Sequence, residues 1–321
     1  MMPMTATSNI TFGDKFQHFL ARVGLRRNRF RVQPGLYALG KPDKESNVFV
    51  TANYGLSFNK LRAALAGTDC YILVLDTKGI NVWCAAGKGT FGTEELIHRI
   101  DDVRLKKHIS HNVIILPQLG ASGIAAHEIE KHTGFKVEYG PVRAEDLSAY
   151  LRTREATTEM RRVTFSLTDR LILVPVELFH MAVPTLILMA ILYFFSGSLP
   201  ALASLVIILA GLLIFPVILT WIPTPNFSTK GFLLGVVVAV PFFLLALSSD
   251  PLAAWWQKLG SAIPYLLITP SLVAFITLNY TGATPFTSKS GVAREIYAYF
   301  PLMFWMFCAG AIIGIIFRFI H

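Results

Sequence analysis

Cysteine is scarce in this sequence: Cys70, Cys84 and Cys308 are the three, and no two are spaced as a CxxC pair. Neither a disulfide framework nor a zinc or iron-sulfur site can be assembled from them within the chain. Free thiols fit a reducing cytoplasm better than an oxidising compartment. The N-terminus lacks a basic region followed by an apolar stretch, so no signal peptide is expected. Charge is the second scarcity: 15% of the 321 residues are charged against 53% hydrophobic, and one half carries the shortage. From Leu171 to His321 there are 5 Lys and Arg and 3 Asp and Glu, against 24 and 17 from Met1 to Arg170. The chain therefore divides into an ordinary soluble domain of net +7 and a lipid-like region.

Five stretches in the lipid-like region approach the ~20 apolar residues that a helix needs to cross a bilayer. They run about 171–195, 199–222, 231–247, 259–280 and 297–320. The first carries Glu177 and His180 on one helical face. Ionisable groups at membrane depth are expensive, so the pair is either functional or close enough to the interface to be solvated. Pro216, Pro264 and Pro270 interrupt their helices, which lipid tolerates only where other groups satisfy the freed backbone. With the soluble domain in the cytoplasm, Lys230, Lys289, Arg294 and the segment from Arg152 to Arg170 fall inside, leaving Lys258 and Arg318 outside. That balance obeys the positive-inside rule. No inverted repeat and no run of intramembrane charge marks a transporter, so the spans are read as an anchor or docking platform.

The net charge of +9 raises the question of nucleic acid, but its positive residues cluster where a membrane surface would use them. One cluster is Arg22, Arg26, Arg27, Arg29 and Arg31; the other is the 151–170 linker just before the first span. No nucleic-acid partner is expected. Phe12, Phe16, Phe19 and Val23 recur at helical spacing and lead into the first cluster, so residues 1–45 are read as an amphipathic and basic N-terminal segment.

Residues 46–150 alternate between two textures. NVFVTANY, YILVLDT, NVIILPQLG and KVEYGP read as strands, and SFNKLRAALAG, TEELIHRIDDVRLKKHI and SGIAAHEIEKHTG read as helices between them. Such alternation predicts a Rossmann-like α/β domain with a mainly parallel sheet, followed by an all-α transmembrane domain of five helices over 171–321. Ligands of such sheets sit outside the carboxyl ends of the strands. Those ends read TANYG, DTKGINVWCAAGKGT, PQLGAS and YGPVRA. All four are rich in small residues, which suits backbone lying close to a large flat ligand.

The stretch NVWCAAGKGTFGT, Asn81 to Thr93, carries the most specific signal. A P-loop reading fails, because the first glycine of that motif would fall at Val82 and the hydroxyl after the lysine at Gly89. Gly87, Gly89 and Gly92 match GxGxxG, but the preceding strand ends too early for a strand, tight turn and helix. Nucleophilic catalysis by Cys84 needs a base, and none of His98, His108, His111, His127 or His132 has a context that marks it as one. Metal ligation remains. A single protein thiolate suits a metal that brings its other ligands, such as cobalt in a corrin ring with two axial positions open. Ala85, Ala86, Gly87 and Gly89 would then give clearance for the ring. Trp83 would pack at its edge or in the core, Asn81 and Lys88 would bond its amides or brace the loop, and Thr90 would cap the helix that follows.

Asn81, Val82, Trp83, Cys84, Ala85, Ala86, Gly87 and Lys88 resemble the signature of the mercury-methylating corrinoid protein family at every position. That signature reads Asn, Val or Ile, Trp, Cys, two small residues, Gly and Lys. VTANYGLSFNKLR, LVLDTKG, LPQLGASG and YGPVRAEDL are similar to the corrinoid-binding domain of the large subunit of the corrinoid iron-sulfur protein of acetyl-CoA synthesis. The four-cysteine cluster segment of that relative is absent, as in the mercury-methylating branch. The resemblance implies a corrinoid-dependent methyltransferase: cobalt takes a methyl group, from a folate-linked donor, and delivers it to Hg(II). It implies a ferredoxin-like partner with two 4Fe-4S clusters as electron donor, and a multi-pass cytoplasmic membrane protein with its soluble domain in the cytoplasm. It makes Cys84 the lower axial ligand of cobalt, with Asn81, Trp83, Ala85, Ala86, Gly87, Lys88 and Gly89 completing the cap segment. Thr51, Asn53, Thr77, Lys78, Gln118, Gly120, Gly140 and Val142 are further candidates for corrinoid contacts at the strand ends. A different physiological acceptor, and a cobalamin-binding transporter or receptor indifferent to Cys84, are the alternatives.

Overall fold

A computed structural model describes residues 2–25, 29–283 and 289–320. Arg26 and Arg27 of the arginine cluster, and the side chain of Lys289, lie outside the described residues. The chain divides into two units, Met1–Val163 and Thr164–His321.

The first unit is built on a sheet of six strands: β1 (Met4–Ala6), β2 (Gly35–Leu39), β3 (Val48–Ala52), β4 (Cys70–Leu75), β5 (Val113–Pro117) and β6 (Lys136–Gly140). Their order is β1-β2-β4-β3-β5-β6. β4, β3, β5 and β6 run parallel, while β2 is antiparallel to β4 and carries β1 parallel at the edge. Every residue of β3 and β4 is buried, which is why VFVTA and CYILVL are continuous apolar runs: both faces of such strands are covered. Val48, Val50, Leu73 and Leu75 face a cluster with Leu96 and Ile100 of α4 (Thr93–Asp102) and Ile129 of α5 (Ala126–Thr133). Their neighbours Phe49, Ile72 and Val74 face the other cluster, with Phe58 of α2 (Gly55–Ala64) and Leu147 and Tyr150 of α6 (Leu147–Thr153). Two further helices, α1 (Phe12–Arg22) and α3 (Val82–Lys88), precede α2 and α4, and the short α7 (Thr158–Arg161) closes the unit.

The sheet begins earlier than the sequence reading has it. Residues 1–45 are not an appendage, because β1 and β2 come from them and β2 pairs with β4 in full register from Gly35↔Val74 to Leu39↔Cys70. GLYAL is short and bounded by Pro34 and Gly40; its strand character is supplied by the partner rather than by its own run. The sheet is accordingly mixed, with most of its strands parallel.

The second unit is helical. After α8 (Leu167–Leu171) come α9 (Val174–Ser196), α10 (Ser198–Leu209), a π turn at Ala210–Ile214, α11 (Phe215–Ile218), α12 (Phe227–Ser248), α13 (Trp255–Thr277) and α14 (Lys289–Ile320). Among the described residues five segments are long and apolar enough to cross a membrane: Leu167–Ser196, Ser198–Ile218, Phe227–Ser248, Trp255–Thr281 and Ser290–Ile320. Pro216 has no N–H for the carbonyl of Leu212, four residues back. The π turn sits at that point, and the Tyr280 hydroxyl, in the 3-10 turn Leu278–Ala283, donates to the Leu212 oxygen at 2.9 Å, which satisfies the freed group. α12 meets α13 through Gly231 and Gly235, where an added Cβ would fall 2.5 Å from the Cα of Ala274 and of Pro270. This is the small-residue spacing that lets membrane helices approach closely. Glu177 lies half-buried in the first turn of α9, and His180 one turn on is exposed within this unit.

Candidate functional site

Because β3, β4, β5 and β6 are parallel, their carboxyl ends share one edge of the sheet. The chain passes from β3 to β4 on one side and then to β5 on the other, so the strand order reverses between β3 and β5. Such a switch point opens a crevice at the carboxyl edge. Asn53 follows β3, Thr77 and Lys78 follow β4, Gln118 opens the 3-10 turn Gln118–Gly120 after β5, and Gly140 ends β6 with Val142 just beyond. The structure thus brings the sequence candidates to one edge; Thr51, one residue before the end of β3, is buried in the sheet.

The turn after β4 is braced from beneath. Asn53 is buried, and its Oδ1 accepts hydrogen bonds from the Thr77 N–H at 3.1 Å and the Gly79 N–H at 2.9 Å. The Thr77 hydroxyl lies 2.9 Å from that oxygen and 2.6 Å from the Ile80 carbonyl, where its one hydrogen can go to either. Asn53 Nδ2 donates to Asp76 Oδ1 at 3.0 Å, and that oxygen also accepts from the Lys78 N–H at 2.9 Å. Lys78 and Gly79 both take left-handed backbone, φ 58° and 76°, so the chain reverses tightly and delivers Asn81 to the start of α3. Glu95, held by Arg99, accepts from the Asp76 N–H at 2.8 Å. Asn53 and Thr77 are therefore spent on the scaffold, beneath the surface that a ligand would meet.

Asn81 is the N-cap of α3, and its side-chain oxygen accepts from the Cys84 N–H at 2.9 Å. The bond satisfies one of the orphan donors of the helix start and fixes the backbone at the cysteine. α3 has two faces. Val82, Ala85 and Ala86 are buried, while Trp83, Cys84, Gly87 and Lys88 are exposed. Trp83 is 37% exposed, which removes it from the core. Gly89 ends the helix at φ 82°, a left-handed cap that glycine adopts without strain.

The small residues separate into two kinds. Ala85 and Ala86 point inward and let α3 pack closely: a Cβ on Gly123 would fall 3.0 Å from the Cα of Ala86 and 2.2 Å from the Phe91 carbonyl oxygen. Phe91 is fully buried, and a Cβ on Gly120 would strike its ring at 2.5 Å. Phe91 therefore wedges the end of the motif against the loop after β5. Gly87 differs, since a Cβ there would meet nothing within 4 Å. No contact inside the protein requires it to lack a side chain, and it lies one turn from Trp83 and beside Cys84 on the exposed face. Thr90 does not cap α4 as its position suggests: the N-cap is Gly92, with no side-chain bond, and Thr90 Oγ1 is buried without a partner. A two-residue misreading of where the helix begins accounts for the difference.

Gln118 accepts a bond from Arg161 at 3.4 Å, and the Val142 N–H donates to the Met160 carbonyl at 2.8 Å. These tie the loops after β5 and β6 to α7. Asp76, Phe91, Glu95 and Gly123 escape sequence reading. Asp76 stood in the open as the polar end of LVLDTKG, but the others act through tertiary neighbours that no spacing announces. Among the described residues no three His, Cys, Asp or Glu side chains converge. A metal held by Cys84 would have to arrive with its other ligands in place.

Residues 25–151 match the family described as CO dehydrogenase/acetyl-CoA synthase delta subunit. The chain is 32% identical over 122 residues to the acetyl-CoA decarbonylase/synthase complex subunit gamma of Methanopyrus kandleri, covering 37% of this chain and 26% of that protein. It is 28% identical over 153 residues to the corrinoid/iron-sulfur protein large subunit of Moorella thermoacetica, covering 45% and 34%. A gamma subunit from Archaeoglobus fulgidus is 29% identical over 127 residues, covering 39% and 27%. The chain thus spans a quarter to a third of the length of these relatives, and the family match lies within the first unit.

Proposed function

We propose that this chain is a membrane-anchored, corrinoid-dependent methyltransferase that delivers a methyl group to Hg(II). The observation that carries the reading is the outer face of α3. It presents an exposed thiol beside a glycine whose missing side chain nothing in the protein explains, at the carboxyl edge of a sheet in a chain similar to a corrinoid/iron-sulfur large subunit. The one-ligand donor set fits a cobalt already held in a macrocycle. When bound, the corrinoid supplies the cobalt that carries the methyl group.

Cys84 would hold the metal through its thiolate and donate electron density to it. Asn81 fixes the Cys84 backbone, and the Asn53 brace fixes the turn that delivers Asn81, so the sulfur is placed before any ligand arrives. Gly87 leaves room beside the sulfur, and Trp83 and Lys88 flank that room on the same face. The motif's match to the mercury-methylating family supports Hg(II) as acceptor. With it come a folate-linked methyl donor and a ferredoxin-like electron donor with two 4Fe-4S clusters, since this chain lacks the cysteines to hold a cluster. The five apolar segments and the basic residues before the first of them support insertion in the cytoplasmic membrane with the first unit in the cytoplasm.

The visible spectrum of the full chain with added cobalamin tests the ligand. The wild type is expected to show a thiolate-ligated cobalt that Cys84→Ala lacks, and Cys84→Ala to abolish methylmercury formation while the circular dichroism of the fold is unchanged. Methylation of mercury at the wild-type rate by Cys84→Ala overturns the assignment. A second reading, the same corrinoid with another acceptor, is favoured by relatives named as acetyl-CoA decarbonylase/synthase subunits. Transfer from the methylated protein to thiols in preference to Hg(II) would establish it.

A further inference from the structure

Helix α1 is mounted with its polar side inward. At about 100° per residue, Phe12, Phe16 and Phe19 fall within about 60° of one another, and they are 84%, 53% and 60% exposed. Asp14, His18 and Ala21 lie on the opposite side, and there the helix is fastened. Arg62 of α2, itself buried, donates to Asp14 Oδ2 at 2.8 Å, to the carbonyls of Thr7 and Asn9 at 2.6 and 2.7 Å, and to Asn59 Oδ1 at 2.7 Å. Asn59 Nδ2 lies 2.9 Å from His18 Nε2, and Ala21 is buried. Thr11 and Asp14 form a reciprocal cap that fixes where the helix starts. The orientation is thus set by a guanidinium that makes four hydrogen bonds, and rotating the phenylalanines inward would break them.

Three phenylalanines on one stripe form an unpartnered apolar face. Lys15 and Arg22 flank the stripe on one side. Aromatic residues bordered by cations suit the boundary between acyl chains and anionic headgroups, where the rings insert and the cations meet phosphate. Among the described residues the same chain carries five segments apolar enough to cross a membrane, so on the membrane-anchored reading proposed above, on which this inference rests, a bilayer lies at high effective concentration beside every copy. We propose that α1 lies in the interface of an anionic bilayer, with Phe12, Phe16 and Phe19 among the acyl chains and Lys15 and Arg22 at the headgroups.

The test uses the full chain in vesicles of phosphatidylcholine containing a minor fraction of phosphatidylglycerol. A nitroxide is attached at Phe16→Cys, and in a second preparation at Phe12→Cys, with Cys84→Ser and Cys308→Ser removing the other accessible thiols. Collisional access of oxygen is compared with that of a water-soluble nickel chelate. Oxygen access several-fold above nickel access at both positions is expected, with a shallower depth in phosphatidylcholine alone. Nickel access equal to oxygen access puts the face in water and overturns the proposal. Exclusion of both reagents puts a protein there, a second copy included, and overturns it as well. Equal depth in the two lipid mixtures overturns the role of Lys15 and Arg22.

Discussion

Two cysteines of the first unit have opposite chemistry because they stand in opposite solvents. Burial pushes the Cys70 thiol up to about 12, with the charge of Asp69 adding to it, so it stays protonated and inert inside β4. Cys84 is exposed on α3. Iodoacetamide at neutral pH should therefore alkylate Cys84 and spare Cys70 until the fold is opened by denaturant, which peptide mass spectrometry would read out. Gly87 offers a sharper test. The Cβ of a leucine there meets nothing within 4 Å, and the substitution should raise helix stability by roughly 0.5–1 kcal/mol on propensity. If the space beside Cys84 belongs to a flat ligand, Gly87→Leu keeps or raises Tm while cobalamin affinity, followed by spectral titration, falls at least about tenfold, or ~1.4 kcal/mol. The bareness of NVWCAAGKG was legible in the sequence as a single signal. The structure divides it, because helical periodicity over seven residues turns Ala85 and Ala86 inward and Gly87 outward, and a sequence cannot say which phase of a short helix meets the core.

At the scale of the element, α3 is held by what surrounds it more than by its own length. A helix of seven residues is too short to be stable alone, so its position depends on the Asn81 cap, the Gly89 exit and the Phe91 wedge. Gly123→Ala should drive a methyl into the backbone at Phe91, and overpacking of this kind costs about 1–3 kcal/mol; a lowered urea midpoint with unchanged m-value would show it. Asn53→Leu removes the acceptor of the Gly79 N–H and one of the two acceptors of the Thr77 N–H, which also reaches the Leu75 carbonyl. Each buried donor left unpaired costs about 1–3 kcal/mol, and the turn that aims Cys84 should loosen, visible as faster hydrogen exchange across residues 76–81. The four parallel strands were readable, since apolar runs buried on both faces leave a dense trace. β1 and β2 were not, because strands of three and five residues at the margin of a sheet are defined by their pairing. Asn53 misled in a similar way: a polar residue at a strand end invites a ligand role, and only the hydrogen bonds show it turned toward the turn beneath.

For the whole molecule, acidity should act first on the fastening of α1. Burial lowers the pKa of His18 from its ordinary 6.5, with the positive charges of Arg22, Arg62 and Lys60 adding to the effect and Asp14 opposing it. A folded value below the unfolded one means that the contribution to stability is complete above about 6.5 and is lost as pH falls through that value toward the folded one. Asp14 responds later. Burial raises its pKa, but its bonds from Thr11 and the Arg62 guanidinium outweigh that and bring it below 3.8, so its share disappears only in stronger acid. Hydrogen exchange over residues 12–22, corrected for intrinsic rates, should accelerate as pH falls below the ordinary histidine value of 6.5 and stay level in His18→Asn.

The antiparallel placement of β2 against β4 has a consequence for biosynthesis. With residues 4–75 made, four adjacent strands, β1, β2, β4 and β3, are available to pair with one another. About ninety residues then separate the end of β4 from Leu167, where the first segment apolar enough to cross a membrane begins, which at ~5–20 residues per second is about 5–20 s of translation. Domains of this size ordinarily close faster than that. The part of the sheet that will hold the turn before Cys84 can be settled while every apolar segment is still unmade, so the front end of the chain no longer competes for the same hydrophobic contacts when those segments emerge.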